Sequence, residues 1–166
     1  MTRELPTRKH RRIQDYNYST PGPYFVTISC YKRMEYIGFD ECARICREVW
    51  ECLPKYYHVK LDKIAIIPNH VHFIIWICEE PGLCGDFVTA PYKYWHPSRP
   101  GGKRLTNLPT VIQTFKAEIT RRIRSEFGIG FKWDISFFDH VIRNETELGT
   151  LRYYIVNNPT ALNIRD

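Results

Sequence analysis

The stretch VKLDKIAIIPNHVHFIIWIC, Val59–Cys78, holds two apolar runs parted by a proline and an asparagine. Val59–Ile67 alternates and stops at Pro68, as a half-buried strand does, and Val71–Cys78 reads as a further strand. The short link Pro68-Asn69 fits a tight turn, so the spacing predicts two antiparallel neighbours. Residues two apart on a strand share a face. His70, His72, Ile74 and Trp76 therefore point one way, and Val71, Phe73, Ile75 and Ile77 the other. The wholly apolar set is expected to meet packed helices. The histidine set needs a different reason, because two imidazoles about 6–7 Å apart on one strand face are spaced to bind one metal ion together.

The other elements follow outward from this hairpin. YNYSTPGPYFVTISCY carries a turn signal at Thr20–Pro23 and then a β-rich run, Tyr24–Tyr31, predicted as the first strand. Phe39 to about Tyr57 places Cys42, Ile45, Cys46, Val49 and Leu53 at helical spacing, and Leu108–Phe127 does the same with Val111, Ile112, Phe115, Ile119 and Ile123. Ile135–Arg143 reads as a fourth strand. Asn144-Glu145-Thr146-Glu147 offers a helix cap with an acid three residues later, opening a last helix that Pro159 stops. The order is β-α-β-β-α-β-α. Its first six elements match the ferredoxin-like split βαβ pattern, an α+β fold with a four-stranded antiparallel sheet and two helices on one face. The extra C-terminal helix is the element left to approach the histidine face.

Length fits one domain over residues 1–166, with a basic arm at 1–12 and a long Pro- and Gly-rich loop at 79–106. No run reaches the roughly 18 apolar residues of a membrane span, and the N-terminus has no apolar stretch to serve as a signal, so a cytoplasmic protein without a membrane partner is expected. Six cysteines contain no CxxC pair, which favours reduced thiols used as small hydrophobes. The chain carries 24 Lys and Arg against 18 Asp and Glu. Arg3, Arg8, Lys9, Arg11 and Arg12 lie in the arm against Glu4, so most of the excess sits there. A basic arm on a nearly balanced body points to a polyanion, nucleic acid first.

Two other histidine chemistries do not fit. Histidine-triad hydrolases need a third alternating histidine where Ile74 stands, and two-histidine phosphoesterases need a second copy of the motif with Thr or Ser two residues on. Instead, His70-Val71-His72 resembles the histidine–hydrophobe–histidine (HUH) motif of single-strand DNA nucleases. PNHVHFIIW, FFDHVIRN and YYIVNNP, in this order, resemble the REP-associated tyrosine transposases, and the resemblance runs from YNYSTPGPYFVTI to Pro159.

The resemblance implies a ferredoxin-like fold, a divalent Mg²⁺ or Mn²⁺, and cleavage and rejoining of single-stranded DNA beside hairpins through a 5′-phosphotyrosine. It puts the metal ligands on His70, His72 and Asn158 and the nucleophile on Tyr154. Helical spacing agrees, since residues i and i+4 share a face. Tyr153 lies roughly 100° around the helix from Tyr154, so one of the two faces the metal. Asn157 remains the alternative third ligand, because Asn158 precedes a proline and that position disfavours helix. Arg8, Lys9, Arg11 and Arg12, with Arg121 and Arg122 on the second helix, are candidate contacts to single-stranded or hairpin DNA. A module of the same fold that binds hairpins without cutting is the rival reading, and either monomer or homodimer is compatible with the chain.

Overall fold

The computed structural model of the protein describes residue 13 and residues 15–80 and 106–158. The arm at 1–12 and nearly all of the loop at 79–106 fall outside these residues. Among the described residues, four strands and three α-helices follow one another: β1 (Gly22–Ser29), α1 (Asp40–Tyr56), β2 (Val59–Ile67), β3 (His70–Ile77), α2 (Leu108–Phe127), β4 (Phe138–Val141) and α3 (Glu145–Val156). The sheet order is β2-β3-β1-β4, with every neighbouring pair antiparallel. This is the ferredoxin-like arrangement expected from the order of elements.

The β2–β3 hairpin closes through Pro68 and Asn69, with Ile67 opposite His70. Local signals also fix the ends of α2. Asn107 caps it by accepting from the Thr110 amide at 2.9 Å, and Gly128 stops it at a positive φ of 66°, which a side chain would disfavour. Three strands differ from their expected bounds, β3 only by a one-residue shift, to His70–Ile77 from Val71–Cys78. β1 runs Gly22–Ser29 rather than Tyr24–Tyr31, because the Tyr31 amide leaves the ladder for the Lys132 carbonyl and the chain turns through Lys32 and Arg33 at positive φ. β4 runs only Phe138–Val141, because its pairing with β1 spans only Tyr24–Thr27. Ile135, expected in that strand, is fully exposed.

One face of the sheet carries Val71, Phe73, Ile75 and Ile77 into a core with α1 and α2. Phe73 sits between the two helices, its ring 4.5 Å from that of Trp50 and 5.6 Å from that of Phe115. The opposite face holds a smaller core of Phe25, Ala65, Ile74 and Trp76 with Ile142, Leu148 and Ile155. There α3 packs over β2 and β3, the cover that the unpartnered second face called for.

Cys30, Cys42 and Cys46 are free, buried thiols, and Cys52 is free and half-buried. Burial pushes the Cys30 thiol up to about 12, which suits an inert hydrophobe. Cys78 corrects the expectation of reduced cysteines throughout: it is disulfide-bonded. It lies just past the end of β3 in the smaller core, apart from the helical layer that packs Cys42 and Cys46.

Candidate active site

β3 starts at His70, straight out of the hairpin turn, and strand alternation brings His72 to the same face. The imidazoles converge well inside their backbone spacing: Nε2 of His70 lies 2.9 Å from Nε2 of His72, with the rings edge-on at 82°. Each ring is held by its other nitrogen. His70 Nδ1 donates to the Asn69 side-chain oxygen at 2.5 Å, which leaves its Nε2 as a lone-pair acceptor. His72 Nδ1 lies 2.8 Å from the Thr27 hydroxyl, which can donate or accept. If His72 donates to Thr27, two lone pairs meet at Nε2 and call for a cation between them. If Thr27 donates, His72 Nε2–H bonds His70 directly.

Both imidazoles are disposed to stay neutral. Burial, then the neighbouring His70, then Arg33 push His72 down to about 4, and burial and Arg33 lower His70. Neutral imidazole is the form that ligates metal. The donor geometry fits as well, since two ligands at about 2.1 Å and right angles to one another lie about 3 Å apart. Among the described residues no group of three His, Cys, Asp or Glu surrounds a common point.

Helix α3 brings the tyrosine. Asn144 caps it through the Glu147 amide at 2.8 Å, and the Glu147 carboxylate accepts from the Arg143 amide at 2.8 Å and from His140 Nε2 at 2.6 Å. Leu148, Leu151 and Ile155 form the stripe that meets the sheet. Arg152 and Tyr154 flank this stripe on opposite sides. A bulge in β2 between Leu61 and Ile64 turns Asp62 toward α3. Asp62 accepts from Arg152 Nη2 at 2.6 Å and Nε at 3.0 Å, and from the Trp76 indole at 3.1 Å. Burial opposes the Asp62 charge, but the bonds from Arg152 and Trp76 outweigh it and hold the carboxyl below its ordinary range. Together with the apolar stripe, this clamp holds α3 at one rotation against the sheet.

With that rotation the Tyr154 hydroxyl lies 3.4 Å from His72 Nε2, and its ring stands edge-on over those of His72 and Phe25. Tyr153 points away and is 71% exposed. The expected one-turn relation between Tyr154 and Asn158 does not continue as helix. α3 ends at Val156, Asn157 is its cap, and half-buried Asn158 follows outside it, as the residue before a proline should. Asn157 is exposed and its amide donates to the Tyr153 carbonyl at 2.9 Å.

Other candidates lie elsewhere. Arg121 is paired with Glu118, and Arg122 with Glu48 and Glu126, in the helical layer across the sheet from the histidines. Arg8, Lys9, Arg11 and Arg12 fall outside the described residues. His140 ties β4 to the first turn of α3 through Glu147. Sequence reading missed Thr27, Asn69, Arg33, Asp62 and Arg152. Asn69 was visible as the neighbour of His70; Thr27 and Asp62 become partners only once the strand register and the bulge are known.

No family model matches the chain. It is 28% identical over 162 residues to an uncharacterized protein of Haemophilus influenzae, covering 92% of this chain and 88% of that one. The structure is similar to that of a REP-associated tyrosine transposase bound to a REP hairpin, with a TM-score of 0.60 and 16% identity over 91% of this chain and 72% of the other. It is also similar to a candidate transposase of Deinococcus radiodurans, with a TM-score of 0.51 and 16% identity over 91% and 98% of the two chains. The fold, with its open four-stranded sheet and third helix across the histidine face, is that of the REP-associated tyrosine transposases.

Proposed function

We propose that the protein is a metal-dependent endonuclease and strand transferase that cuts and rejoins single-stranded DNA at hairpin-flanked sites, with Tyr154 as the nucleophile. The observation that carries this reading is the Tyr154 hydroxyl at 3.4 Å from one of two neutral, converging imidazoles. In the cleavage step the phenolic oxygen bonds to phosphorus and the bond from phosphorus to the 3′ oxygen breaks. Net, the phenol proton ends on that 3′ oxygen, and the 5′ phosphate stays esterified to Tyr154. The reverse step uses the same atoms to rejoin a strand, which hydrolysis by water would not permit.

His70 and His72 would hold a Mg²⁺ or Mn²⁺ ion, with Asn158 as the third donor. When bound, the ion supplies Lewis-acid stabilisation of charge on the phosphate. Asn69 and Thr27 fix ring orientation and tautomer, as outer partners of ligating histidines do. The Asp62–Arg152 clamp keeps the phenol aimed at the imidazoles. The basic arm, with Arg8, Lys9, Arg11 and Arg12, would grip hairpin phosphates.

A labelled hairpin oligonucleotide incubated with Mn²⁺ is expected to yield a protein–DNA adduct that survives denaturant. The adduct should vanish in Tyr154→Phe and persist in Tyr153→Phe, with hairpin affinity unchanged in both. Robust cutting by Tyr154→Phe would remove this residue from its role. One observation favours a second reading, a hairpin-binding module that does not cut: the two imidazoles can bond each other directly with no ion present. Binding that is indifferent to chelator, with no adduct from the unaltered protein, would select it.

A further inference from the structure

A single row of the sheet links His72 to an exposed aromatic. Thr27 of β1 pairs with His72 on one side and with Phe138 of β4 on the other, so all three side chains share the face that carries the histidines. The alternation of β4 agrees, with Asp139 and Val141 buried and Phe138 and His140 exposed between them. Helix α3 covers β2 and β3, and this end of the face stays open: Thr27 is half-buried and Phe138 is 51% exposed. Among the described residues Phe138 packs against neither core and makes no ring contact. Phe138 thus stands between Thr27 and His140, half-open to solvent at the uncovered end of the histidine face.

We infer that Phe138 is a stacking platform for an unpaired nucleobase next to the phosphodiester held at His70, His72 and Tyr154. The inference rests on the single-strand reading of this face and names the base-binding element that the reading leaves open. Adjacent strands lie about 4.8 Å apart, so Phe138 sits about 10 Å from His72 along the row, within reach of the nucleotide flanking that phosphate. An exposed ring standing on a four-stranded sheet offers its π face to a splayed base, and such stacking tolerates any base. Duplex bases are already stacked on each other and would not engage it. One ring amid polar neighbours is also too small an apolar patch to seat a protein partner.

The test is binding without catalysis. In chelator, the full-length protein is titrated with a hairpin bearing a single-stranded flank and with the same hairpin ending flush. Phe138→Ala is expected to weaken binding of the flanked hairpin about tenfold or more and leave the flush hairpin unchanged, while Phe138→Trp restores affinity. With 2-aminopurine placed at successive flank positions, one position should be quenched by the unaltered protein and not by Phe138→Ala. Equal effects on both hairpins, or no quenching at any position, would overturn the inference. Phe138→Leu keeps the bulk without the aromatic face, so it should behave as the alanine variant does; wild-type affinity there would also overturn the inference. Because the readout needs neither metal nor Tyr154, failure of the adduct assay and failure of stacking are separate results.

Discussion

Thr27 shows how much of the site hangs on one hydroxyl. It reaches His72 Nδ1 at 2.8 Å, and whether it donates or accepts decides which nitrogen of that ring is free. Replacing it with valine keeps the shape and removes the choice. Thr27→Val is expected to lower Mn²⁺ affinity by about 10–100-fold, the usual loss when an outer partner of a ligating histidine is removed, with Thr27→Ser close to wild type. Calorimetric titration with Mn²⁺ measures both; equal affinity in Thr27→Val would mean that the hydroxyl does not set the tautomer. At the same scale, Tyr153 and Tyr154 are chemically identical neighbours. The resemblance picks Tyr154, and its placement beside His72 against the 71% exposure of Tyr153 agrees with that choice.

Among the elements, α3 is the one whose attachment matters most. It is short, with two fully buried side chains, so a polar clamp does much of the positioning. The Asp62 side chain is only 6% exposed where it meets Arg152, which is itself 36% exposed. Arg152→Ala is expected to destabilise the fold by about 1–2 kcal/mol, a charged hydrogen bond weakened by the exposed edge of the guanidinium. It should also slow adduct formation more than it weakens hairpin binding, because the phenol loses its aim. A variant that cuts at the normal rate would show that the apolar stripe alone orients the helix. The clamp has a pH signature too. Asp62 titrates below its unfolded value of roughly 3.9, so its contribution is fully present above that value and is lost as pH falls through the folded one. Thermal unfolding followed from pH 5 to pH 3 should show a loss in the wild type that is smaller in Asp62→Asn.

For the whole molecule, the sheet separates two tasks. One face stores stability: Phe73 is fully buried between Trp50 and Phe115, and Phe73→Ala is expected to cost about 3–5 kcal/mol in chemical denaturation. The other face carries the proposed chemistry under a thin cover. Charge is distributed in keeping with this. Arg121 and Arg122 are paired with acids in the helical layer, which leaves the arm at 1–12 as the main basic segment to test. Deleting residues 1–12 should weaken hairpin binding and flatten its dependence on salt, since counterion release scales with phosphate contacts. An unchanged salt slope would place the phosphate contacts elsewhere.

Much of this was legible in the chain itself. β2 and α2 have the bounds their periodicity predicts, and the hairpin at Pro68-Asn69 puts both histidines on one face because strand alternation is a local property of the backbone. The cap at Asn144 and the helix stop ahead of Pro159 are local as well. The length of β4 was not, because a strand ends where its partner stops pairing, and Ile135 continues the pattern with nothing to pair against. Nor were Thr27, the Asp62 bulge or the Arg152 clamp, each joined to its partner across 45 to 90 residues of sequence. Sequence by itself determined the fold class, through the order of its elements, and the pair of imidazoles, through alternation along one strand. Tertiary structure alone decided how the Tyr154 phenol is held 3.4 Å from His72, because α3 is tied down by a contact between Arg152 and a bulge 90 residues away that no local pattern encodes.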